Sequence, residues 1–192
     1  MIDEALMTAE DYARIKYDLP EGGRWTELFA GRVVSLQPPD EMHGNIVLNL
    51  SKAMAATYQS NPQPLGMACF DVSILVRRNP DSLLSPAMSY FSNEMGFAPV
   101  DEIYTERKPR LVCEIASTND RRKNIAERVL AYLGCGIEVV WVVDPFDKCC
   151  HVYQVDQRPY QLSEQETLDG GSVVADFRIP VANLFAEPSW WK

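Results

Sequence analysis

The chain has 192 residues, of which 46% are hydrophobic and 23% charged, a composition typical of a globular protein rather than a disordered or fibrous one. Its net charge of −9 argues against simple electrostatic capture of nucleic acid by the molecule as a whole. No apolar run approaches the about 20 residues that span a bilayer, and the acidic N-terminus does not resemble a secretory signal. We therefore expect a cytoplasmic protein without membrane contact, folded as a single domain over residues 1–192.

The sequence predicts an alternation of helices and strands, and hence an α/β fold. Apolar residues at helical spacing predict helices beginning after Thr8, at 41–58, at 119–133 and at 181–185. Thr8 is expected to cap the first helix, with Asp11 in the reciprocal position, and Asn119 or Asp120 to cap the third. Runs of β-forming residues predict strands at 24–29, 32–36, 65–76, 88–91, 111–115, 137–143, 149–155, 160–163 and 173–177. Residues 93–107 are expected to form a loop with some helix.

Glu114 is the informative residue, because it interrupts LVCEIA at 111–116, which otherwise predicts a strand buried on both faces. Burying an isolated carboxylate is costly, so a partner or a metal is expected beside it. Alternatively, the side chain points outward near the strand end or pairs with an arginine of the next helix. A right-handed strand–helix–strand crossover would bring Arg128 towards this carboxylate if that side of the helix packs on the sheet.

The segment 107–128 is basic within an acidic chain, since it carries seven basic and three acidic side chains. Its central run of Arg121, Arg122 and Lys123 is a candidate nucleic-acid-binding site that would contact phosphate groups. A solvated helix start explains the same run equally well, and the sequence leaves both interpretations open.

A set of short motifs resembles the Uma-type restriction endonucleases, a bacterial family in the PD-(D/E)XK nuclease superfamily. These motifs are ELFAG at 27–31, His43, PAMSYF at 86–91, LVCEIAS at 111–117, RVLAY at 128–132, VWVVDP at 140–145 and TLDGG at 167–171. Each motif is weak alone, but their order and spacing cover nearly the whole chain. The resemblance implies a restriction-endonuclease-like core, in which a central mixed β-sheet is flanked by helices.

The resemblance also implies a catalytic centre that binds Mg²⁺ or Mn²⁺ and hydrolyses DNA phosphodiester bonds with metal-activated water. It assigns Glu27 as the early acid and Glu114 as the strand acid, and it puts Arg128 where a helix-borne lysine is expected. Ala87 stands where the family has the metal-binding Asp, and a methyl group cannot ligate a metal. Because this ligand is missing, we expect weak metal binding, if any. Because Arg128 also does not readily release a proton, we expect impaired hydrolysis.

Two other polar residues are predicted to be structural. His43 matches a family position at a helix start and is expected to orient a loop or cap the helix, because this chemistry needs no histidine base. Ser117 is not expected to be a nucleophile, since no Gly-rich elbow surrounds it and no histidine lies near it in sequence.

Two functional hypotheses follow. The first is a metal-dependent DNA endonuclease that is impaired because Ala87 replaces the metal-binding Asp, either through decay of the site or through an inactivating substitution. The alternative is a pseudoenzyme, a catalytically inactive nuclease-fold module that binds nucleic acid or a protein partner. DNA is the expected partner. A homo-oligomer is a further hypothesis, in which Trp190 and Trp191 anchor onto a partner subunit, and a frayed tail explains these two residues equally well.

Overall fold

The computed structural model describes residues 6–61, 66–92 and 102–188, so Trp190, Trp191 and most of the loop predicted at 93–107 lie outside the described residues. The helices are α1 (Ala9–Ile15), α2 (Glu41–Ser60), α3 (Asn119–Gly134) and α4 (Val181–Leu184). The strands are β1 (Thr26–Phe29), β2 (Arg32–Ser35), β3 (Gly66–Phe70), β4 (Ile74–Arg77), β5 (Ser82–Leu84), β6 (Met88–Ser92), β7 (Leu111–Ile115), β8 (Val139–Asp144), β9 (Cys149–Gln154), β10 (Tyr160–Leu162), β11 (Thr167–Asp169) and β12 (Arg178–Pro180). No helix in these ranges is long and apolar enough to cross a membrane.

A mixed sheet of six strands forms the centre of the fold, as predicted. Its strand order is β10-β9-β8-β7-β6-β3, in which β7 and β8 run parallel and all other neighbours are antiparallel. Helix α3 connects the two parallel strands, because parallel neighbours need a crossover connection. All residues of β7 and β8 are buried, which explains why both strands read as nearly continuous apolar runs.

The two faces of this sheet are covered by different elements, because alternate residues of a strand point to opposite sides. Leu111, Cys113 and Ile115 pack in a cluster with α2, α4 and the segment around Phe177. Val112 and Ala116 pack on the other face, in a cluster with α3 and with β4 and β5. Glu114 shares the even-numbered register of this second set, so its side chain is directed toward α3.

A second sheet of four antiparallel strands, in the order β2-β1-β5-β4, brings Glu27 to the same region. Its β1–β2 hairpin turns at Ala30 and Gly31, whose φ angles of +49° and +73° suit the tight turn predicted there. The backbone N–H of Gln37, just after β2, donates to Asp120 at the start of α3 across 2.7 Å. This bond ties the hairpin to the helix that carries Arg121 and Arg128.

The capping box predicted for the first helix is confirmed, since Thr8 and Asp11 exchange side-chain to backbone hydrogen bonds. The cap predicted for α3 is wrong: Thr118 is the N-cap residue, and its hydroxyl donates to Asp120 instead of capping the backbone.

The last predicted strand is also wrong, because residues 173–177 form turns between β11 and β12. Their apolar side chains are buried through packing rather than through strand pairing. The Phe177 ring, for example, stacks on Trp141 with ring centroids 5.3 Å apart. The short strand β5, which the sequence did not predict, completes the second sheet between β1 and β4.

Candidate active site

Arg128 bridges the two carboxylates that the sequence singled out. Its Nε and Nη2 atoms donate to Glu114 Oε1 across 2.9 and 2.7 Å, while Nη1 and Nη2 donate to Glu27 Oε2 and Oε1 across 2.5 and 3.0 Å. Glu27 Oε1 also accepts from the backbone N–H of Ser85 at 2.7 Å. The planar guanidinium thus joins β1, β7 and α3, which a lysine ammonium could not do with the same geometry.

The whole network is enclosed by protein. Glu114, Glu27 and Arg128 expose 0%, 3% and 4% of their surface. Burial alone lowers the pKa of the Arg128 guanidinium, but the charges of Glu114 and Glu27 outweigh that effect and hold this pKa well above its ordinary value. Burial, together with the charge of Glu114, raises the pKa of Tyr132 well above its usual range. Tyr132 is therefore a neutral phenol, and its hydroxyl donates to Glu114 Oε1 across 2.5 Å.

The two oxygens of Glu114 are in different situations. Oε1 accepts from Arg128 and Tyr132, whereas Oε2 is buried and has no hydrogen-bond partner in the described part of the chain. The Nη1 atom of Arg121 lies 3.9 Å from Oε2, and the Nε atom of Arg121 is likewise buried without a partner in the described part of the chain. A gap therefore remains between the free oxygen and the second arginine.

The residues at this centre do not fit a divalent metal ion. Ala87 is 2% exposed and packs within the hydrophobic cluster on the α2 side, so it offers no ligand. Across residues 6–61, 66–92 and 102–188, no group of three or more His, Cys, Asp or Glu side chains is arranged to hold a metal. The carboxylates of Glu27 and Glu114 are instead both paired with Arg128, and Mg²⁺ sites depend on free oxygen ligands and their charge.

Asp71 lies near this centre and was not singled out from the sequence. It directly follows β3 and has a φ angle of +53°, so it lies just beyond the last residue of β3 that pairs with β6, and its side chain is exposed. Crowding by protein raises the pKa of the Asp71 carboxyl, and the charges of Arg121 and Arg24 oppose that rise. Sequence alone carried no signal for this carboxylate, because it follows a short strand whose pairing was unknown.

The predicted nucleic-acid contacts have three different surroundings. Arg121 is buried with 7% exposure, whereas Lys123 is exposed to solvent. Arg122 pairs with Asp144, lies 3.6 Å from Asp147, and stacks its guanidinium over the Phe146 ring at 4.9 Å. Part of the positive charge of the basic segment is therefore balanced by carboxylates of the same chain.

His43 and Ser117, which are distant in sequence, meet beside Arg121. The Nδ1 atom of His43 lies 3.2 Å from the Ser117 hydroxyl, and the two residues are 6% and 3% exposed. Burial, helped by the charge of Arg121 and opposed by that of Asp40, lowers the pKa of His43 to about 4. A weakly basic imidazole next to an enclosed hydroxyl does not activate Ser117 as a nucleophile, although the fold brings to this serine a histidine that is distant in sequence.

Comparisons with known proteins relate this chain to nucleases in both structure and sequence. A crystal structure of a putative nuclease belonging to DUF820 from Anabaena variabilis superimposes with a TM-score of 0.76, 17% identity, and coverage of 93% of this chain and 97% of that chain. The described core therefore has a nuclease-like fold. A family model described as Uma2, putative restriction endonuclease, matches residues 9–182, and the chain belongs to this family. None of the curated proteins matches the chain significantly in sequence.

Replacing Arg128 should destabilise the protein strongly, because two buried carboxylates would lose their counter-charge. We expect Arg128→Met to lower the free energy of unfolding by about 3–5 kcal/mol. Arg128→Lys should cost less, about 1–3 kcal/mol, since an ammonium keeps the charge but loses the bidentate bonds. Urea unfolding followed by circular dichroism measures both changes.

The matched control for this prediction is Arg14→Met, which removes an exposed arginine paired with Asp11 at 2.7 Å. It should change the free energy of unfolding by no more than about 0.5 kcal/mol. An Arg128→Met protein as stable as the control would show that the buried network contributes nothing to the fold.

His43 should make the stability of the fold depend on pH. Its pKa in the folded state, about 4, lies below the ordinary value of 6.5 for histidine, so the unfolded chain binds the proton more readily. The resulting stability is complete above about pH 6.5 and decreases as the pH falls towards 4, by at most about 3 kcal/mol. Urea unfolding of the wild type and of His43→Gln at several pH values isolates this contribution, because only the wild type should lose stability through His43. Parallel pH curves for the two proteins would contradict the prediction.

Proposed function

We propose that this protein is a nuclease-fold module that binds the phosphodiester backbone of DNA and has lost most or all of its hydrolytic activity. The observation that supports this proposal best is the bridge from Arg128 to both Glu27 and Glu114. In the related endonucleases implied by the family, a metal ion activates the attacking water. Here the acids that would hold such an ion are engaged by a guanidinium, and Ala87 contributes no ligand.

The charge balance of the centre supports the same proposal. Two carboxylates, Glu27 and Glu114, face two guanidinium groups, Arg128 and Arg121. The two arginines together carry the charge of one Mg²⁺ ion, so the centre is already neutral. A divalent cation would enter without net electrostatic attraction, and Mg²⁺ gives up its hydration water reluctantly. Metal binding at this centre is therefore weak, if it occurs at all.

Binding of a phosphodiester is supported by the state of Arg121. Its Nε atom is buried without a hydrogen-bond partner in the described part of the chain, which is costly for a charged group. It also lies in the first turn of α3, where the helix dipole favours an anion. A phosphate oxygen would provide the missing acceptor. Arg122 and Lys123 would contribute at the rim, Arg122 less because it is paired with Asp144.

Cleavage of supercoiled plasmid in Mg²⁺ or Mn²⁺ tests the loss of hydrolysis. The wild type should show little or no nicking. Ala87→Asp alone should remain weak, because Arg128 still engages both acids, whereas Ala87→Asp combined with Arg128→Lys should restore nicking. The same double variant with Glu114→Gln added is the matched control and should be inactive, since the strand acid is then neutral.

Each outcome of the cleavage experiment bears on the proposal. Metal-dependent nicking by the wild type, abolished by Glu114→Gln, would show an active endonuclease and contradict the loss of hydrolysis. Folded variants that all fail to cut would show that the centre has diverged beyond these two positions, which agrees with a module that does not hydrolyse.

DNA binding without metal tests the second half of the proposal. We expect a fluorescent duplex to bind in EDTA at low salt, measured by anisotropy. Arg121→Ala should weaken binding about five-fold or more and reduce the slope of log affinity against log salt by about one, as loss of a phosphate contact does. Arg158→Ala is the control, because it removes an exposed arginine from the β9–β10 loop.

The salt dependence distinguishes the possible results. Equal losses for Arg121→Ala and Arg158→Ala would indicate a general charge effect and contradict a phosphate site at Arg121. A wild type that binds no DNA even at low salt would overturn the DNA proposal and favour a protein partner instead.

A further inference from the structure

We propose that the cleft between the β1–β2 hairpin and α3 is a pocket for the guanine base of an unpaired nucleotide. The inference deepens the proposed function, on which it rests, because it names the base that the module selects when the backbone is bound at Arg121. The cleft has an apolar wall from the hairpin, a polar wall from α3 and a floor formed by Glu27 and Arg128.

The hairpin supplies the apolar wall of the cleft. Phe29, Val34 and Leu36 form this wall, and all three are partly buried. They lie on one face of the hairpin because Val34 pairs with Glu27 and the side chains of a strand alternate. An aromatic ring and two aliphatic side chains are a suitable surface for the flat face of a heterocycle.

Helix α3 supplies the polar wall. Asn124 and Glu127 are three residues apart, so they lie on the same side of the helix, and both are exposed. Within the described residues, no hydrogen bond or ion pair engages either side chain. The carboxylate of Glu127 offers two acceptor oxygens, and the amide of Asn124 can both donate and accept.

The floor and the size of the cleft restrict what can bind. Glu27 and Arg128 are hydrogen-bonded to each other, so their charges balance within the protein and leave Asn124 and Glu127 as the groups that a ligand can use. The cleft has a volume of about 90 Å³. That is room for several water molecules, and hence for one edge of a flat ring rather than for a whole nucleotide.

Guanine matches these two polar groups better than the other bases do. Its Watson–Crick edge carries two neighbouring donors, N1–H and the N2 amine, beside the acceptor O6. The carboxylate of Glu127 can accept from both donors, and the amide of Asn124 can donate to O6. Adenine, cytosine and thymine place an acceptor next to their donor, and its lone pair would face the carboxylate. Enzymes that extrude bases read the Watson–Crick edge in the same manner.

The base pocket and the proposed phosphate contact follow one another along α3. At a rise of about 1.5 Å per residue, Asn124 lies about 4.5 Å and Glu127 about 9 Å beyond Arg121 along the helix axis. One helix therefore offers a cation for the backbone and, further along, hydrogen-bonding groups for the base.

Binding of single-stranded oligothymidine with one central dG, dI or dA tests the inference in EDTA, by fluorescence anisotropy. We expect the dG strand to bind about ten-fold or more tightly than the dA strand, which is the discrimination that a good bidentate contact gives. The dI strand should bind with intermediate affinity, because hypoxanthine keeps N1–H and O6 but lacks the N2 amine. Competition by GMP, with IMP as its control, shows whether the pocket also takes a free nucleotide or only a base within a strand.

Substitutions at exposed positions identify the contacts without threatening the fold. Glu127→Gln should bring the dG and dI strands to nearly equal affinity, because an amide offers only one acceptor oxygen. Asn124→Ala should weaken binding of both strands and leave the dA strand unchanged. Glu41→Gln is the charge-matched control, since it neutralises an exposed glutamate at the start of α2, and it should keep the full preference for dG.

The outcomes separate this inference from the proposed function. A wild type that binds DNA without preferring dG over dA and binds no GMP would overturn the inference alone. A preference for dG that survives both Glu127→Gln and Asn124→Ala would also overturn it, because the base would then be recognised elsewhere. The proposed function is contradicted by other results, namely cleavage by the wild type or the absence of binding to any DNA.

Discussion

The buried bridge from Arg128 to Glu27 and Glu114 is the interaction on which the rest of the structure depends. It joins a strand of the second sheet, a strand of the central sheet and the crossover helix, which are also held together by apolar packing and by the hydrogen bond from Gln37 to Asp120. Buried ion pairs of this kind contribute little net stability, but each member becomes very costly once its partner is removed. The centre therefore constrains its own evolution, since none of its three charges can change alone without destabilising the fold.

This coupling clarifies how the centre differs from a metal site. A metal-binding centre keeps its acids free and lets the ion supply the positive charge, so the charge leaves when the ion does. In this chain the positive charge is covalently attached, and it is present in every folded molecule. The acids become permanent parts of the fold, while Arg121 is buried with its Nε atom unpartnered in the described part of the chain.

Local patterns were enough to predict the central elements of the fold. The apolar runs of β7 and β8 and the helical spacing before Gly134 gave the crossover unit, and Glu114 stood out because a charge inside such a run demands a partner. Local sequence patterns did not predict the elements that are determined by pairing with distant strands. The three residues of β5 carry too little periodicity to predict a strand, and they are ordered by β1 and β4 on either side.

The candidate site was predictable to a similar extent. Glu27, Glu114 and Arg128 are brought together as the sequence motifs suggested, because each lies in an element with a strong local signal. The surroundings of Arg121 were not predictable, since Asp71, which interacts electrostatically with Arg121, follows β3, a strand whose pairing with β6 the sequence did not indicate. Whether a basic side chain near a helix start meets solvent or a carboxylate is decided by such distant pairings. Introducing an Asp at position 87 therefore changes only one residue of a centre whose charge balance is set by Arg121 and Arg128. The charges of both arginines determine how far this centre resembles that of an active nuclease.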